Sequence, residues 1–585
     1  MNEELLNMSE NQLSKLWNEI DFAKAERELL WMQQRLTKAV FRGDELRCEQ
    51  IQREIVTSMP ARILAVRHVS NNTYSVGSDG VVWRSAADKM QAVMKLNERA
   101  KIAPRRIVQI NKGTKKREIQ IGTMRERARE KLYAYALSPI AEAHGDRKSF
   151  AFRKGRSHKD ADAYIREALK GVNAPEYILI ADVEMYYESI NHNWLLKHIP
   201  MDKQALRDFL KAEYVKNGKL FQQDMGMSLG SSISCILGNM VLDGLQKYLY
   251  IGLHGNREID YMGGNMIRFA DDICVTARSK SQAEKIRSLV QKFLEKRGLS
   301  LHQRKTKILH IKEGFDFLAH HYECANGSVY VTPSEKAVKI AKENLVTYIS
   351  SYHGSQRRLI ETINQKLIGF ATYHKNTHAR RAFREIDEMV TKELYKLCKK
   401  KHPDWKKDKI YKNYFYLDDK DRYCYTISGH MKYQVRRLED TTFVPHKRVG
   451  TKFNPHLDQA YLKKRETQRS VWNVTGRYQQ IWNRQEGVCA VCNLPILADQ
   501  YREVQEKAGT KGSNISQLEY IHSNCKNKAV YDKEEICTLH QVERDVKGMK
   551  GDIIKMLNDG CLPEDAYYEL RQFIGYLKEK YGLGN

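Results

Sequence analysis

Arg268-Phe269-Ala270-Asp271-Asp272-Ile273-Cys274-Val275 sets two adjacent carboxylates between two apolar runs. Read as a β-hairpin, the stretch puts Asp271 and Asp272 at a tight turn, where neighbouring like charges are costly unless cations neutralise them. A lone Asp-Asp pair on a turn is usually just a solvated turn. A second segment upstream changes that reading: in Ile180-Ala181-Asp182-Val183-Glu184-Met185-Tyr186-Tyr187-Glu188 an apolar strand runs straight into Asp182. Three convergent aspartates meet the demand of nucleotidyl transfer for two Mg²⁺ ions, one activating a primer 3′-hydroxyl and one taking up charge on the triphosphate.

Outward from these segments, helices alternate with short β-rich stretches between about 124 and 310, including Tyr177-Ile178-Leu179-Ile180 and Ile273-Cys274-Val275-Thr276, which predicts an α+β domain. Upstream, residues 20–60 carry apolar positions at helical spacing, broken at Gly43-Asp44, the pattern of a helical hairpin. From Leu64 the pattern predicts short strands and turns, with Gly77-Ser78-Asp79-Gly80 and the basic run Lys112-Gly113-Thr114-Lys115-Lys116-Arg117. Downstream, 335–400 reads as helices ending in Lys399-Lys400-Lys401-His402-Pro403, followed by strands and loops rich in Tyr, Lys and Arg. Turn-forming residues cluster in Val449-Gly450-Thr451-Lys452-Phe453-Asn454-Pro455, which predicts a boundary there. No internal repeat is visible.

The totals agree with this division. A chain of 585 residues suits three or four domains, and 99 Lys and Arg against 72 Asp and Glu give a formal net charge of +27, as a polyanion-binding protein requires. The start lacks a basic segment followed by an apolar run, and no stretch reaches the length of a membrane span, so the expectation is a soluble, cytoplasmic protein without a membrane partner. Eleven cysteines with one close pair, Cys489 and Cys492, argue for a single metal site rather than a disulfide framework.

Phe269-Ala270-Asp271-Asp272 resembles the Tyr/Phe-Ala-Asp-Asp box of reverse transcriptases. Residues 182–192 (DVEMYYESINH) resemble the preceding palm motif, with Glu188 where the family usually has Asp. The similarity extends through residues 149–157 (SFAFRKGRS), Lys305-Thr306, Gly314-Phe315-Asp316-Phe317-Leu318, the thumb-like Gly369-Phe370-Ala371-Thr372-Tyr373-His374 and Pro445-His446-Lys447-Arg448, and together these match group II intron-encoded proteins. The resemblance implies a right-hand polymerase: an N-terminal helical extension over 1–100, fingers and palm over 101–330, an α-helical thumb/maturase domain over 331–465 and a small HNH-like (ββα-type) zinc module over 466–535; the tail over 536–585 has no counterpart in the family and reads as charged helices. It implies Asp182, Asp271 and Asp272 as Mg²⁺ ligands and catalytic residues, and Tyr187 as the aromatic that excludes a ribose 2′-hydroxyl. Lys115 and Arg117 fall where the fingers meet the triphosphate, and Gly230 where the template-primer is contacted.

Two boxes depart from the family. Its Pro-Gln-Gly is Ser228-Leu229-Gly230 here, which removes an amide but keeps the glycine; its Arg-Pro-Leu-Gly-Ile-Pro is Arg117-Glu118-Ile119-Gln120-Ile121-Gly122. Near the C-terminus, Cys489-x-x-Cys492 and His522-x-x-Cys525 supply four ligands at spacings that suit tetrahedral Zn²⁺, with Cys537 and His540 as possible substitutes. This segment resembles the HNH endonuclease domain, yet the His-His pair is Gln505-Glu506, the Asn is Gln517, and later histidines are Lys526 and Val530. Losing several members of one catalytic unit leaves little cleavage, so a structural zinc fold without nuclease activity is expected.

Basic segments interleaved with aromatics, Tyr411-Lys412-Asn413-Tyr414-Phe415-Tyr416 and 422–425, suit phosphate contact with base stacking, although aromatic runs are more often packing. The expected partners are structured RNA, a DNA target or primer, and dNTPs. Three functions compete: a reverse transcriptase with maturase ability, a domesticated relative making DNA in host defence or repair, and a non-catalytic RNA-binding splicing factor. The three intact aspartates count against the last.

Overall fold

The computed structural model describes residues 8–522 apart from 72–75, 99–101, 113–114, 172, 256–264, 419, 428–429, 471–476, 486–487, 492–495, 497–501 and 508–513. It divides into two units, 1–473 and 474–585.

The first unit begins with the helices Glu10–Asn18, Phe22–Arg42, Glu45–Thr57, Met59–Ser70 and Ala86–Lys95. The predicted hairpin is present, and its break has a local cause. Gly43 takes φ +69° to end one helix, and the Asp44 carboxylate accepts from Arg47 N to start the next. Ala25, Leu29, Met32, Leu36 and Ala39 recur every three or four residues and are buried with Met124, Ala128 and Leu132 of the long helix Met124–His144. Among the described residues, the strands expected from Leu64 onward begin only at Arg105: Leu64 itself lies inside Met59–Ser70, a helix capped by Ser58 and buried on several faces (Ala61, Leu64, Ala65, Val66, Val69), so it shows no amphipathic period.

The strands are β1 (Arg105–Lys112), β2 (Lys115–Ile121), β3 (Tyr177–Ala181), β4 (Tyr214–Lys216), β5 (Lys219–Phe221), β6 (Met266–Phe269), β7 (Asp272–Ala277), β8 (Lys307–His310), β9 (Phe315–Phe317), β10 (His320–Ala325), β11 (Ser328–Pro333), β12 (Phe415–Leu417), β13 (Tyr423–Ile427), β14 (His430–Gln434), β15 (Arg502–Glu506) and β16 (Leu518–His522). Of the basic run, Lys112 ends β1 and residues 115–117 open β2, and β4 and β5 extend this pair in the order β2-β1-β4-β5.

The central sheet has the order β6-β7-β3-β8 with every pair antiparallel. Its residues alternate between two cores. Leu179, Ala181, Met266, Ile273 and Val275 face the helices Ser234–Leu242, Leu245–His254 and Lys280–Glu295, whereas Ile178, Ile267 and Cys274 face Phe150, Ile165, Phe317 and Tyr322. Burial on both faces explains why these strands read as continuous apolar runs.

Helices Glu335–Ser350, Gln356–His374 and Arg380–Lys401 follow as predicted, then Lys407–Tyr414 and the sheet β12-β13-β14. The boundary expected at 449–455 is not one. Val449, Phe453 and Leu462 belong to the second core, Tyr164 donates to the Val449 carbonyl at 2.7 Å, and Arg465 reaches the Asp160 carboxylate at 2.7 Å. Its turn at 450–452 faces outward, but the flanking Val449 and residues 453–455 are buried, and the division between units falls after Asn473.

In the second unit, β15 and β16 pair antiparallel and pack with the helix Arg477–Arg484 around Ile481, Trp482, Cys489, Leu518, Tyr520 and Ile521.

Candidate active site

The β6–β7 hairpin closes with Phe269 paired to Asp272, leaving a two-residue loop of Ala270 and Asp271. Ala270 takes φ +57°, the left-handed region that an L-residue enters at a cost of about 1–2 kcal/mol, so the turn is held rather than relaxed. Asp272 opens β7. Because β3 runs antiparallel to β7 with Ala181 opposite Ile273, one further step of that register sets Asp182 across from Asp272. Asp271 and Asp272, 89 and 90 positions after Asp182, thus stand with it at one end of one sheet, and all three are half-buried.

The carboxylates are not gathered into a closed cluster. Among the described residues no three His, Cys, Asp or Glu side chains converge as a ready metal site. Asp182 is turned onto Lys305, whose Nζ donates to Oδ2 at 2.8 Å. Carboxylates brought together without a cation repel, and an ammonium within reach takes up one of them. The donor chemistry, three oxygen-bearing side chains at an accessible edge, fits Mg²⁺. The Lys305 contact was not foreseen; Lys305 sits 123 positions from Asp182, and only its place in a matching box had drawn notice.

Tyr187 lies on the short helix Tyr186–Ser189, five positions after Asp182, with Met185 at φ +42° before it. The Tyr187 ring is half-buried, packs edge-on against Tyr186 at 5.1 Å, and has its hydroxyl 3.2 Å from where a Cβ on Gly238 would stand. The loop carrying Ser228-Leu229-Gly230 is anchored to this helix: Met227 N donates to the Tyr187 carbonyl at 2.6 Å and Gly226 N to the Ile190 carbonyl at 2.9 Å. Gly226, at φ +77°, has no room for a side chain, since a Cβ would fall 2.5 Å from the Glu188 carbonyl oxygen. Gly230, at φ +96°, is exposed and abuts β2, where a Cβ would meet Ile119 at 2.8 Å. The adjoining Ser231 is a hydrogen-bond partner of Glu130, which also accepts from Arg105 Nη2 at 3.1 Å; burial raises the Glu130 carboxyl above its ordinary range. Lys115 and Arg117 are on β2, paired with Lys112 and Ile110, but their side chains lie outside the described residues.

Behind the hairpin is a second feature that sequence reading missed. Arg268 is fully buried on β6, paired with Asp243, and donates to Asn239 Oδ1 at 3.2 Å and to the Ala270 carbonyl at 3.3 Å. A charged residue inside an apolar strand was the available signal, because such a residue must find a partner.

The β9–β10 hairpin turns through Leu318 (φ +50°) and Ala319 (φ +63°), and Tyr373 of the helix Gln356–His374 donates its hydroxyl to the Leu318 carbonyl at 2.9 Å. Burial, the negative charge of Asp272 and that of Asp162 push the Tyr373 phenol up to about 12. The basic, aromatic segment near 411 is largely packing: Tyr411 lies 5.5 Å from Tyr395 and 4.2 Å from Tyr423, ring to ring.

Of the predicted zinc ligands, Cys489 is fully buried in the core of the second unit; Cys492, Cys525 and the His522 side chain lie outside the described residues, as do Cys537 and His540. Gln505 donates to Glu519 at 2.9 Å across the β15–β16 pair. Among the described residues no helix is long and apolar enough to cross a membrane.

Comparison with known families agrees with this geometry. Residues 110–322 match the reverse transcriptase (RNA-dependent DNA polymerase) model, 17–96 the N-terminal domain of reverse transcriptase, and 338–415 the group II intron maturase-specific domain. Three similar proteins are Protein YkfC of Escherichia coli (26% identity, 37% of this chain, 66% of that protein), the Putative COX1/OXI3 intron 2 protein of Saccharomyces cerevisiae (26%, 40% and 33%) and Maturase-like protein 1 of Euglena gracilis (21%, 51% and 64%). The chain spans less than two thirds of the length of each of these relatives. It therefore carries a reverse transcriptase domain with its N-terminal domain and a group II intron maturase-specific domain, and the first of these supports RNA-directed DNA polymerase activity.

Proposed function

We propose that this chain, carrying reverse transcriptase and maturase-specific domains, is an RNA-directed DNA polymerase of the group II intron-encoded type that binds structured RNA and copies it from a DNA primer. The observation that carries the reading is the β3–β7 register, which brings Asp182 opposite Asp272 beside the Asp271 turn. In the reaction the primer 3′-oxygen bonds to the α-phosphorus of a dNTP while the bond to the bridging oxygen breaks, pyrophosphate leaves, and the hydroxyl proton passes to water. Two Mg²⁺ ions, when bound, would supply the Lewis acidity and charge neutralisation for this step. The three aspartates hold and space that charge. Tyr187, wedged against Tyr186 and Gly238, limits room at the sugar, and Lys115 and Arg117 offer cationic donors to the triphosphate.

Cys489, Cys492, His522 and Cys525 form a structural Zn²⁺ site in this reading, supported by the complete burial of Cys489. The HNH-like module binds nucleic acid without cutting it, in keeping with Gln505 being engaged by Glu519. The maturase-specific match and the net charge of +27 support assistance to intron splicing. A domesticated role in host defence or repair is the second reading, favoured by Ser228-Leu229-Gly230 and by the lost nuclease residues.

The test is Mg²⁺-dependent dNTP incorporation on an RNA template with an annealed DNA primer. The native chain extends the primer and Asp271→Ala falls by about a thousandfold or more while RNA affinity stays put. Incorporation by neither chain, with RNA binding intact, overturns the polymerase reading in favour of an RNA-binding splicing factor.

A further inference from the structure

The buried Arg268 has more partners than charge neutralisation requires. Its guanidinium meets one carboxylate, Asp243, yet it also donates to Asn239 Oδ1 at 3.2 Å and to the Ala270 carbonyl at 3.3 Å, two groups without charge. Its main chain is already fixed on both sides: Arg268 N donates to the Lys148 carbonyl at 2.9 Å, and Phe150 N donates to the Arg268 carbonyl at 3.0 Å. The side chain is therefore not needed to hold β6 in place; it is folded back two residues onto its own turn. Burying a guanidinium costs several kcal/mol before its partners repay it, and an apolar residue of similar volume would fill an ordinary core site as well or better. What the apolar residue would not supply is a donor to the carbonyl of Ala270.

That carbonyl belongs to the residue at φ +57°, the strained first position of the loop whose second residue is Asp271. Alanine in this region relaxes unless surrounding bonds hold it. The partners of Arg268 are themselves fixed. Asn239 Nδ2 donates to the Ala151 carbonyl at 2.8 Å, and Asp243 accepts from Asp146 N at 3.2 Å, while Asp146 accepts from Gly244 N at 3.1 Å. The turn is thus tied through Arg268 to the helix Ser234–Leu242, to the residues just after it, and to the strip 146–151.

We propose that Arg268 is a positioning residue of the polymerase centre: through the Ala270 carbonyl it fixes the turn that carries Asp271, and with it the spacing of Asp271 and Asp272 from Asp182. The inference rests on the reading of those aspartates as ligands for divalent ions.

The experiment follows ion binding and primer extension together in the full chain. Mn²⁺ bound in the presence of primer–template is read by electron paramagnetic resonance, and the Mg²⁺ concentration for half-maximal extension is read separately. Arg268→Lys keeps the charge but loses the fork; it weakens Mn²⁺ binding and raises the Mg²⁺ requirement by about tenfold, with primer–template affinity changed by less than about twofold. Ala270→Gly enters positive φ without cost but also frees the turn, so it restores neither measure in the Arg268→Lys background, and full restoration overturns the proposal by making strain relief, not the Arg268 donor, the cause. A folded Arg268→Lys chain with both ion measures within about twofold of native overturns the proposal. If Arg268→Lys does not fold, Asn239→Ser, which removes one orienting acceptor, shifts both measures the same way, and no shift overturns it. Asp271→Ala separates the two failures: if it leaves Mn²⁺ binding unchanged, the ligand reading itself is wrong; if it abolishes binding while Arg268→Lys is silent, only the role of Arg268 is wrong.

Discussion

Acid should loosen the first unit through a cluster of buried imidazoles. His320 on β10 and His374 at the end of the helix Gln356–His374 are almost wholly buried, with ring centres 5.0 Å apart, and His158 lies 5.9 Å from His320. Neither ring nitrogen of His320 has a hydrogen-bond partner. The groups facing the pair are His158, Lys159, Arg166, Tyr373, Tyr322 and Asp162. Burial first, then the neighbouring imidazoles and cations, lower His320 to about 2 and His374 to about 3 from 6.5. Since both folded values lie below the unfolded one, the unfolded chain binds more protons at any pH between them. The contribution to stability is whole above pH 6.5 and shrinks as pH falls toward 3. At pH 5 the loss is about 2 kcal/mol for each histidine, or about 4 kcal/mol together, a large share of an ordinary domain's stability.

Urea unfolding of the full chain at pH 7.5 and pH 5.0 reads this directly. The native chain loses stability on acidification, and His320→Gln loses about 2 kcal/mol less than native over the same interval. Asp162 is the group that could defeat the argument, because its carboxylate lies 3.8 Å from His320 Nδ1 and could hold an imidazolium. Its own carboxyl is raised by burial, and a pair formed there would not reverse a loss set by so enclosed a site. If native and His320→Gln show the same pH dependence, the imidazole is charged against Asp162 and the reasoning is refuted.

Gly226→Ala should be far more damaging than a surface glycine change: φ +77° and a Cβ only 2.5 Å from the Glu188 carbonyl oxygen predict a loss of about 3 kcal/mol or more, with primer extension lost alongside, read by thermal unfolding and incorporation. RNA affinity of a chain with net charge +27 should fall by about 10³ or more between roughly 50 and 200 mM salt, with a linear log–log slope; a flat response in filter binding would remove phosphate neutralisation as the source of affinity.

The central sheet and its carboxylates were legible because two local patterns coincide there. Apolar runs end in acidic residues at Ala181-Asp182 and at Phe269-Ala270-Asp271-Asp272, and a sheet buried on both faces produces such runs. The hairpin around Gly43-Asp44 was legible for a comparable reason, since the terminator of one helix and the cap of the next are adjacent. What failed to show lacked a local signature. Met59–Ser70 is buried on too many sides to display a helical period, and Val449–Pro455 uses the residues of an exposed linker to make a turn whose ends Tyr164 and Arg156 tie to the core. The Lys305–Asp182 pair depends on how β8 pairs with β3, which is a property of the assembled sheet.

Four of the eight non-glycine left-handed positions among the described residues, Met185, Ala270, Leu318 and Ala319, have a bond that holds them, and two of these adjoin the carboxylates in sequence. Met185 follows Asp182 by three residues, and its carbonyl accepts from Ser189 N at 3.0 Å. Ala270 precedes Asp271, and its carbonyl accepts from Arg268. Leu318 accepts from Tyr373, whose phenol feels the charge of Asp272, and Ala319 accepts from Ser334 N at 2.9 Å. Each such position costs about 1–2 kcal/mol that glycine would avoid. Glycine would also release the turn to explore other conformations, and like-charged carboxylates would then drift apart unless a cation held them. Strain with a fixed partner therefore does what glycine cannot: it holds the backbone that carries Asp271 and Asp272 in one conformation before any ion or substrate arrives.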